Sequence, residues 1–322
     1  MDSVEHTLSW RSIFRVILAA CVIYLVINLF KIILLILISM MLASALYPLV
    51  VQLRKFLPLT VAAILAIVIL FLPVVFLALT IIPTLVSQFP EILKALNSAV
   101  DNSTLLPPAL RNVDFSSYAQ NVGSYLLKST SVITGVITTF FTIVFLTLYF
   151  MIDSNRLHKV FLSFAPDEYE GKLQKLIEEL ARINGQYIRG NFIISIICGI
   201  IIYLGLLALD VPYASSLAVF AAVVDMLPLV GAFIGVIPAA IMGFSVSPQV
   251  GIFVLILFAA YQQFENNIIS PNVYNKALDI SPALSFIAVI IGATLFGILG
   301  AFIALPIAAS IPTIVRYISF KE

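Results

Sequence analysis

Charged side chains and cysteine are scarce in this chain, and both shortages restrict what it can be. Asp, Glu, Lys and Arg make up 10% of the 322 residues, against about 25% in a typical soluble domain. The formal net charge is +1, so no basic face for binding nucleic acid is expected. The two cysteines, Cys21 and Cys198, lie in apolar runs. We expect them to pack as small hydrophobic side chains rather than to form a disulfide.

Several enzyme and channel motifs are absent as well. The sequence has no Walker A loop for ATP, no His-Glu-x-x-His zinc motif and no Gly-x-Ser-x-Gly nucleophile turn. It also has no Thr-Val-Gly-Tyr-Gly ion filter. Both histidines, His6 and His158, fall outside the predicted membrane spans, which excludes a histidine-based active site in a membrane. We therefore expect neither an enzyme nor a resident cofactor or metal.

Apolar sequence is what the chain has in abundance. Hydrophobic residues make up 62% and the mean hydropathy is +1.14, values that predict an all-α, polytopic transmembrane bundle. Two long apolar segments, 213–246 and 283–316, are each broken by Gly and Pro. With them the bundle has about eight membrane passages. The other predicted spans are 13–30, 32–53, 58–83, 131–152, 191–209 and 249–268.

Hydropathy divides the chain into five regions. They are N-terminal transmembrane helices (1–83), an extracytoplasmic amphipathic segment (84–130), a further span (131–152), a cytoplasmic amphipathic helix (153–190) and a C-terminal transport core (191–322). In the fourth region, Leu and Ile recur at helical spacing from Asp167 to Gly190. This pattern favours a brace on the bundle or, alternatively, a gate or a docking helix for a partner.

The lysines and arginines predict an orientation. If the N-terminus is cytoplasmic and each broken segment returns to its own side, most basic residues lie inside. The basic residues then left outside are Lys31, Lys94, Arg111 and Lys128. Both termini would be cytoplasmic, in a multi-pass protein of the cell (inner) membrane. The same order makes the two broken segments cross into the membrane from opposite faces, either as re-entrant hairpins or as paired tilted spans.

The broken segments predict a transport site. Gly/Pro-interrupted apolar segments in matching positions are typical of the substrate site of a secondary transporter. The run Gly231-Ala-Phe-Ile recurs at Gly300, which is compatible with an inverted repeat or with chance. The residues expected to break the backbone and to act in gating are Pro228, Gly231, Pro271, Gly297, Gly300 and Pro306.

Two acidic residues, Asp225 and Glu265, remain inside the apolar core of the sequence. A charge at the centre of a membrane helix costs roughly 2.5–3.5 kcal/mol, so such residues indicate function. Counting about 1.5 Å per residue places both carboxylates in one layer of the membrane. Gln262 and Asn266 share a helix face with Glu265, and we expect these four residues to bind an ion or substrate. Alternatively, Glu265 marks the interfacial end of a helix and Asp225 is a helix cap.

Several short runs carry a family resemblance. They are 187–191 (YIRGN), 211–214 (VPYA), 225–231 (DMLPLVG), 262–271 (QQFENNIISP) and 297–300 (GILG), followed by Leu305-Pro306. In this order they resemble the autoinducer-2 exporter family of bacterial and archaeal membrane proteins. The resemblance implies an exporter of a small signalling molecule, although some members resemble Na⁺(Li⁺)/H⁺ antiporters. Asp225 stands where the family often carries Glu or Asn, which leaves the ion open.

We therefore expect a secondary exporter of a small molecule, driven by an ion gradient with Na⁺ or H⁺ as the coupling ion. One alternative is a Na⁺(Li⁺)/H⁺ antiporter without organic cargo. A more distant one is a membrane scaffold that docks partners through 84–130 and 153–190. The expected partners are the lipid bilayer, a small-molecule or cation substrate and, compatible with the sequence, further copies of the chain in a homo-oligomer.

Overall fold

All secondary structure in the described part of the chain is helical. The computed structural model describes residues 10–101, 130–163, 166–227, 230–274 and 280–319. The helices are α1 (Trp10–Leu53), α2 (Leu59–Asp101), α3 (Thr130–Ile152), α4 (Ser154–Leu162), α5 (Asp167–Ala208), α6 (Ala214–Asp225), α7 (Gly231–Val246), α8 (Pro248–Phe264), a π-helix (Glu265–Ile269), α9 (Ser270–Tyr274) and α10 (Pro282–Ser319). Among the described residues, six helical stretches are long and apolar enough to cross a membrane, and α6 and α7 are shorter apolar helices. The predicted all-α polytopic bundle is confirmed.

The central helix is α5, because it contacts both halves of the bundle. It packs against α1 and α10 around the fully buried Tyr187, and against α6 and α8 around the fully buried Ile202. A third cluster joins α1, α2 and α3 at Ala62, Ala63 and Ala66. Small side chains at such a contact let membrane helices approach closely.

The first broken segment forms a helical hairpin. Its arms are α6, with 12 residues, and α7, with 16 residues, or about 18 and 24 Å of helix. Both arms are shorter than the hydrocarbon core of about 30 Å. Neither arm alone is long enough to cross such a core, which fits a re-entrant hairpin better than two full spans. We call it the first hairpin, and the described residues between its arms, Met226, Leu227 and Val230, its tip.

The second broken segment also folds back on itself. Gly297 has φ 62° and ψ −145°, a backbone conformation that is essentially restricted to glycine. It separates two helical arms, 282–296 and 298–319, within α10. Gly292 and Gly300 meet across these arms, and a Cβ on either one would overlap the backbone of the other. We call this the second hairpin, with its tip at Gly297.

The first hairpin points toward the N-terminal end of α5. At its tip, the carbonyl of Met226 accepts a hydrogen bond from Asn191 Nδ2 at 2.9 Å. Further down the same arm, Ala222 lies against Gly199. Moving away from the tip thus corresponds to moving toward the C-terminal end of α5.

The second hairpin points the other way. Near its tip, the carbonyl of Phe302 accepts a hydrogen bond from the Tyr187 hydroxyl at 3.4 Å, and further from the tip Arg316 lies near Glu179. Its arms therefore extend toward the N-terminal end of α5. Gly297 is about 7–8 Å of helix from Phe302, so both tips reach the middle of α5 from opposite directions.

One continuous helix replaces two predicted spans at the N-terminus. The sequence predicts separate spans over 13–30 and 32–53, but α1 continues through Lys31 and has 44 residues. Lysine is a good helix former, and its long side chain can reach the membrane surface, so a single lysine need not end a helix. The helix is about 66 Å long and places Arg11 and Arg54 at opposite ends. The prediction of two spans is wrong here, and the sidedness inferred from it loses its basis.

Two further predicted boundaries lie inside helices. The amphipathic helix Asp167–Gly190 and the predicted span 191–209 form the single helix α5, which has 42 residues. The helix α2 passes the predicted end of its span at residue 83 and continues to Asp101. Most of the predicted amphipathic segment 84–130 lies outside the described residues.

Candidate functional site

Asp225 is the last residue of α6, and it is buried with 9% of its surface exposed. The Tyr261 hydroxyl donates to Asp225 Oδ2 at 3.5 Å, and the Cys198 thiol lies within hydrogen-bond reach of the same carboxyl. The C-terminal end of a helix carries a partial negative charge, which adds to that of the carboxylate. In the described ranges the only salt bridge joins Glu179 and Arg182, so Asp225 has no charged partner there. A carboxylate placed in this way favours binding of a proton or a cation.

Among the described residues, Asp225 caps no helix N-terminus. Side-chain capping of this kind occurs at helix N-termini, whereas Asp225 ends α6. The next helix starts after Val230, which makes no side-chain cap hydrogen bond. Gly231 lies against the backbone of Val224 and Asp225, and a Cβ there would overlap the Val224 carbonyl. This glycine lets α7 begin in contact with the end of α6.

Glu265 lies close enough to Asp225 for the two charges to interact. It is half-buried, and Gln262 Nε2 donates to its Oε2 at 3.3 Å. The same amide nitrogen lies 3.3 Å from Asn266 Oδ1. The structure thus places the four residues proposed from the sequence in one region, where Gln262 connects Glu265 with Asn266.

The helix does not end at Glu265. Glu265 begins the π-helix, and α9 continues to Tyr274, whose ring stacks on buried Tyr187 at a centroid distance of 5.8 Å. Pro271 has no N–H to offer the Asn267 carbonyl four residues earlier. Short π-helices accommodate such irregularities and are frequent at functional sites. The interpretation of Glu265 as an interfacial helix end is therefore not supported by the packing.

Asn191 connects three parts of the site, although sequence reasoning did not include it among the site residues. Its Nδ2 donates to the Met226 carbonyl at the first hairpin tip, and its Oδ1 accepts from the Tyr274 hydroxyl at 3.4 Å. It is buried in α5. A signal was available in the sequence, namely an amide side chain at the start of a predicted apolar span.

Two more polar residues follow Asn191 on the same face of α5. Ser195 and Cys198 lie one and two helical turns further along. Both are buried, and within the described part of the chain Ser195 Oγ has no hydrogen-bond partner. A buried hydroxyl without a partner costs roughly 1–3 kcal/mol, which makes it unusual in an apolar helix bundle.

The other predicted break residues occupy different positions. Pro228 lies outside the described residues. Gly231 is the first residue of α7, and Pro271 lies in α9. Gly300 and Pro306 lie within the helical second arm of the second hairpin, where Pro306 is fully buried and its carbonyl accepts from Ser310 Oγ at 2.7 Å. Of the three predicted break residues in this hairpin, Gly297 is the one at which the backbone changes direction.

Arg189 binds α1 rather than the acidic residues. Its Nη1 donates to the carbonyls of Ser44 at 3.3 Å and of Ala45 at 3.0 Å. Pro48 has no N–H for the Ser44 carbonyl four residues earlier, and the guanidinium supplies the missing donor. Gly185 lies against the same carbonyl, where a Cβ would come within 2.7 Å of the Ser44 oxygen. This contact fixes α5 against α1 beside the site.

Comparison with known proteins agrees with these observations. A family model described as AI-2E family transporter matches residues 13–320, which is nearly the whole chain. The chain belongs to the AI-2E transporter family. Together with the helical bundle, this supports a multi-pass membrane protein.

Relatives occur in bacteria and archaea. The chain is 32% identical over 216 residues to "Putative transport protein YueF" of Bacillus subtilis, covering 64% of this chain and 58% of the relative. It is 28% identical over 168 residues to "Putative transport protein YrrI" of the same organism, covering 52% and 48%. "Putative transport protein MJ1177" of Methanocaldococcus jannaschii is 27% identical over 266 residues, covering 77% and 78%. The chain therefore spans about half the length of the first two relatives.

Proposed function

We propose that this chain is a secondary transporter of the cell membrane that exports a small molecule coupled to a cation or proton gradient. The observation that carries the proposal is the position of Asp225 and Glu265. The two carboxyl groups lie within electrostatic reach of each other beside the tip of a re-entrant hairpin. Neither forms a salt bridge within the described ranges. Coupling requires groups that bind and release a positive charge inside the membrane, and these are the best candidates.

The two hairpins suit the gates of an alternating-access cycle. Their tips reach the middle of α5 from opposite directions, as the contacts of Met226 with Asn191 and of Phe302 with Tyr187 show. Transporter sites are commonly built from such discontinuous helices near the membrane midplane. In this proposal, withdrawal of one tip opens the site to one side while the other tip keeps it closed.

The same geometry favours a second candidate, a Na⁺(Li⁺)/H⁺ antiporter without organic cargo. The side chains around Asp225 and Glu265 offer hydroxyl, amide and thiol groups. Of these groups, the hydroxyl and amide oxygens, together with the two carboxylates, are ligands that suit a hard cation. Growth of an antiporter-deficient strain in high Na⁺ or Li⁺ separates the two candidates, because rescue by this chain requires cation export.

Proton flux in proteoliposomes tests ion coupling. Purified protein is reconstituted with a pH-sensitive dye in the lumen, and Na⁺, Li⁺ or K⁺ is added outside. We expect a cation-dependent flux that is lost in Asp225→Asn and in Glu265→Gln, because each substitution removes a negative charge and keeps the shape. Glu179→Gln is the matched control and should keep the flux. Glu179 lies away from the site and forms a salt bridge of 2.7 Å with Arg182.

Two outcomes would count against the proposal. Unchanged flux and unchanged pH dependence in both site variants would show that neither carboxyl group binds the coupling ion. No flux with any cation in the unsubstituted protein would exclude cation/proton exchange in the absence of cargo. Uptake of small organic molecules into inverted vesicles would then be the next measurement, and Asp225 and Glu265 would be structural.

A further inference from the structure

The Ser195 hydroxyl differs from other serines in these helices. A helical serine usually donates to the carbonyl four residues earlier, and Ser39, Ser44 and Ser310 do so at 2.7–2.9 Å. Ser195 is 6% exposed, and its Oγ has no hydrogen-bond partner among the described residues. The hydroxyl is therefore oriented away from the backbone of its own helix and is available to another group.

The position of Ser195 indicates which group this is. On the same face of α5, Asn191 bonds the carbonyl of Met226, and Cys198 reaches the carboxyl of Asp225. Ser195 lies between these two residues, at four residues from one and three from the other. The face of α5 that carries Ser195 thus contacts the last turn of α6, where the carboxylate and the negative helix end coincide.

We propose that Ser195 is a ligand of the coupling cation. In this site the Ser195 hydroxyl, the Asp225 carboxylate and the Asn191 amide oxygen together bind a small, hard, monovalent cation such as Na⁺ or Li⁺. The inference rests on the cation coupling proposed above, and it adds α5 to the elements that bind the ion.

The ligand chemistry sets the class of ion. Carboxylate, hydroxyl and amide oxygens are the ligands that hard cations prefer. The three ligands include one carboxylate, which neutralises a single positive charge; Glu265 lies within electrostatic reach but is not a ligand in this site. Asn191 Oδ1 accepts one hydrogen bond, from Tyr274, and a carbonyl oxygen has a second lone pair for the ion.

Cation-dependent thermal stability tests the role of Ser195. The full-length protein is purified in detergent and unfolded by heat at rising NaCl or LiCl, with choline chloride keeping the ionic strength constant. A cation that binds the folded state raises the unfolding temperature in a saturable way. We expect Ser195→Ala to raise the midpoint concentration for Na⁺ by about tenfold, the effect of losing one ligand. Ser195→Thr keeps a hydroxyl and should stay near the original midpoint.

A second signature separates a ligand from a structural residue. In choline alone, Ser195→Ala should unfold at a higher temperature than the unsubstituted protein, because it removes an unpaired buried hydroxyl. In saturating Na⁺ this advantage should shrink by the equivalent of the tenfold change in midpoint, about 1.4 kcal/mol. Ser310→Ala is the matched control, since Ser310 is equally buried at 6% exposed and bonds its own helix; it should leave the Na⁺ midpoint unchanged.

The outcomes distinguish this inference from the proposed function. If Asp225→Asn removes the Na⁺ response and Ser195→Ala keeps the original midpoint, Ser195 is not a ligand, while cation coupling stands. If proton flux depends on Na⁺ but Na⁺ and Li⁺ do not stabilise the unsubstituted protein, the three-ligand site is refuted alone. If both the flux and the stabilisation are absent, the proposed function fails together with the inference. Should Ser195→Ala not fold, Ser195→Val is compared with the isosteric Ser195→Thr in the same way.

Discussion

The contact between Arg189 and the proline-containing turn of α1 makes a quantitative prediction. Pro48 deprives the Ser44 carbonyl of its helical donor, and Arg189 Nη1 donates to this carbonyl and to that of Ala45. The substitution Pro48→Ala returns an N–H to the Ser44 carbonyl and makes one of the two arginine bonds redundant. The effects of Pro48→Ala and Arg189→Met should therefore be coupled.

The coupling is more informative than either substitution alone. Interhelical hydrogen bonds in membranes contribute about 0.6 kcal/mol on average and up to about 1.7 kcal/mol. Removing the guanidinium also relieves the cost of a charge in the membrane, roughly 2.5–3.5 kcal/mol at a helix centre and less toward its ends. These terms oppose each other, so the sign for Arg189→Met alone is not diagnostic. The charge term cancels in a double-mutant cycle, and the lost bond remains, which gives an expected coupling of about 1–1.5 kcal/mol.

The assay is reversible unfolding by sodium dodecyl sulfate in mixed micelles for the four proteins of the cycle. We expect Arg189→Met to be less destabilising with Pro48→Ala than with Pro48 present. Pro73→Ala replaces Pro48→Ala in a control cycle, because Pro73 lies within α2 and is not part of this contact. Additivity of Arg189→Met and Pro48→Ala within about 0.5 kcal/mol would refute the assigned role of Arg189.

Two further predictions concern the second hairpin. Gly297→Ala should lower the free energy of unfolding by about 1–3 kcal/mol, because Gly297 has φ 62° and a side chain is strained there even in open space; wild-type stability of this variant would contradict the backbone turn. Gly300→Ala should destabilise by about 1–3 kcal/mol, because its Cβ would overlap the Gly292 carbonyl. Gly135→Ala is the control, with nothing within 4 Å of the added Cβ, and it should be neutral or stabilising; equal effects at the two positions would argue against close packing of the arms.

The interruptions of the apolar segments could be predicted from the sequence, because Gly and Pro act locally on the backbone. Gly297 and the region before Gly231 are breaks in the structure. Gly300 and Pro306 have the same local character but lie in helix, because the packing of the two arms decides which candidate becomes the tip. Lys31 and Gly190 show the opposite error. Each looks like a helix end in the hydropathy pattern, although hydropathy reports the solvent and not the continuity of the backbone.

The acidic residues of the candidate site were visible in the sequence because an ionisable residue in an apolar segment is rare. Asn191, Ser195 and Cys198 were not assigned to it, since single small polar residues in a span are common and have no meaning until their neighbours are known. Their relation to Asp225 depends on how α5 and α6 pack, which is a tertiary property. The bonds of Arg189 to carbonyls of α1 also depend on helix packing and could not be predicted from the sequence.

The most direct test of the account is the water accessibility of positions 225 and 265. Asp225→Cys and Glu265→Cys are made in a background without Cys21 and Cys198, and intact and inverted vesicles are treated with a membrane-impermeant thiol reagent. Ala218→Cys is the unreactive control, because Ala218 is 1% exposed in an apolar cluster. The account predicts labelling at both site positions. Absence of labelling from either side would contradict an ion site at the hairpin tip and favour a non-transporting scaffold.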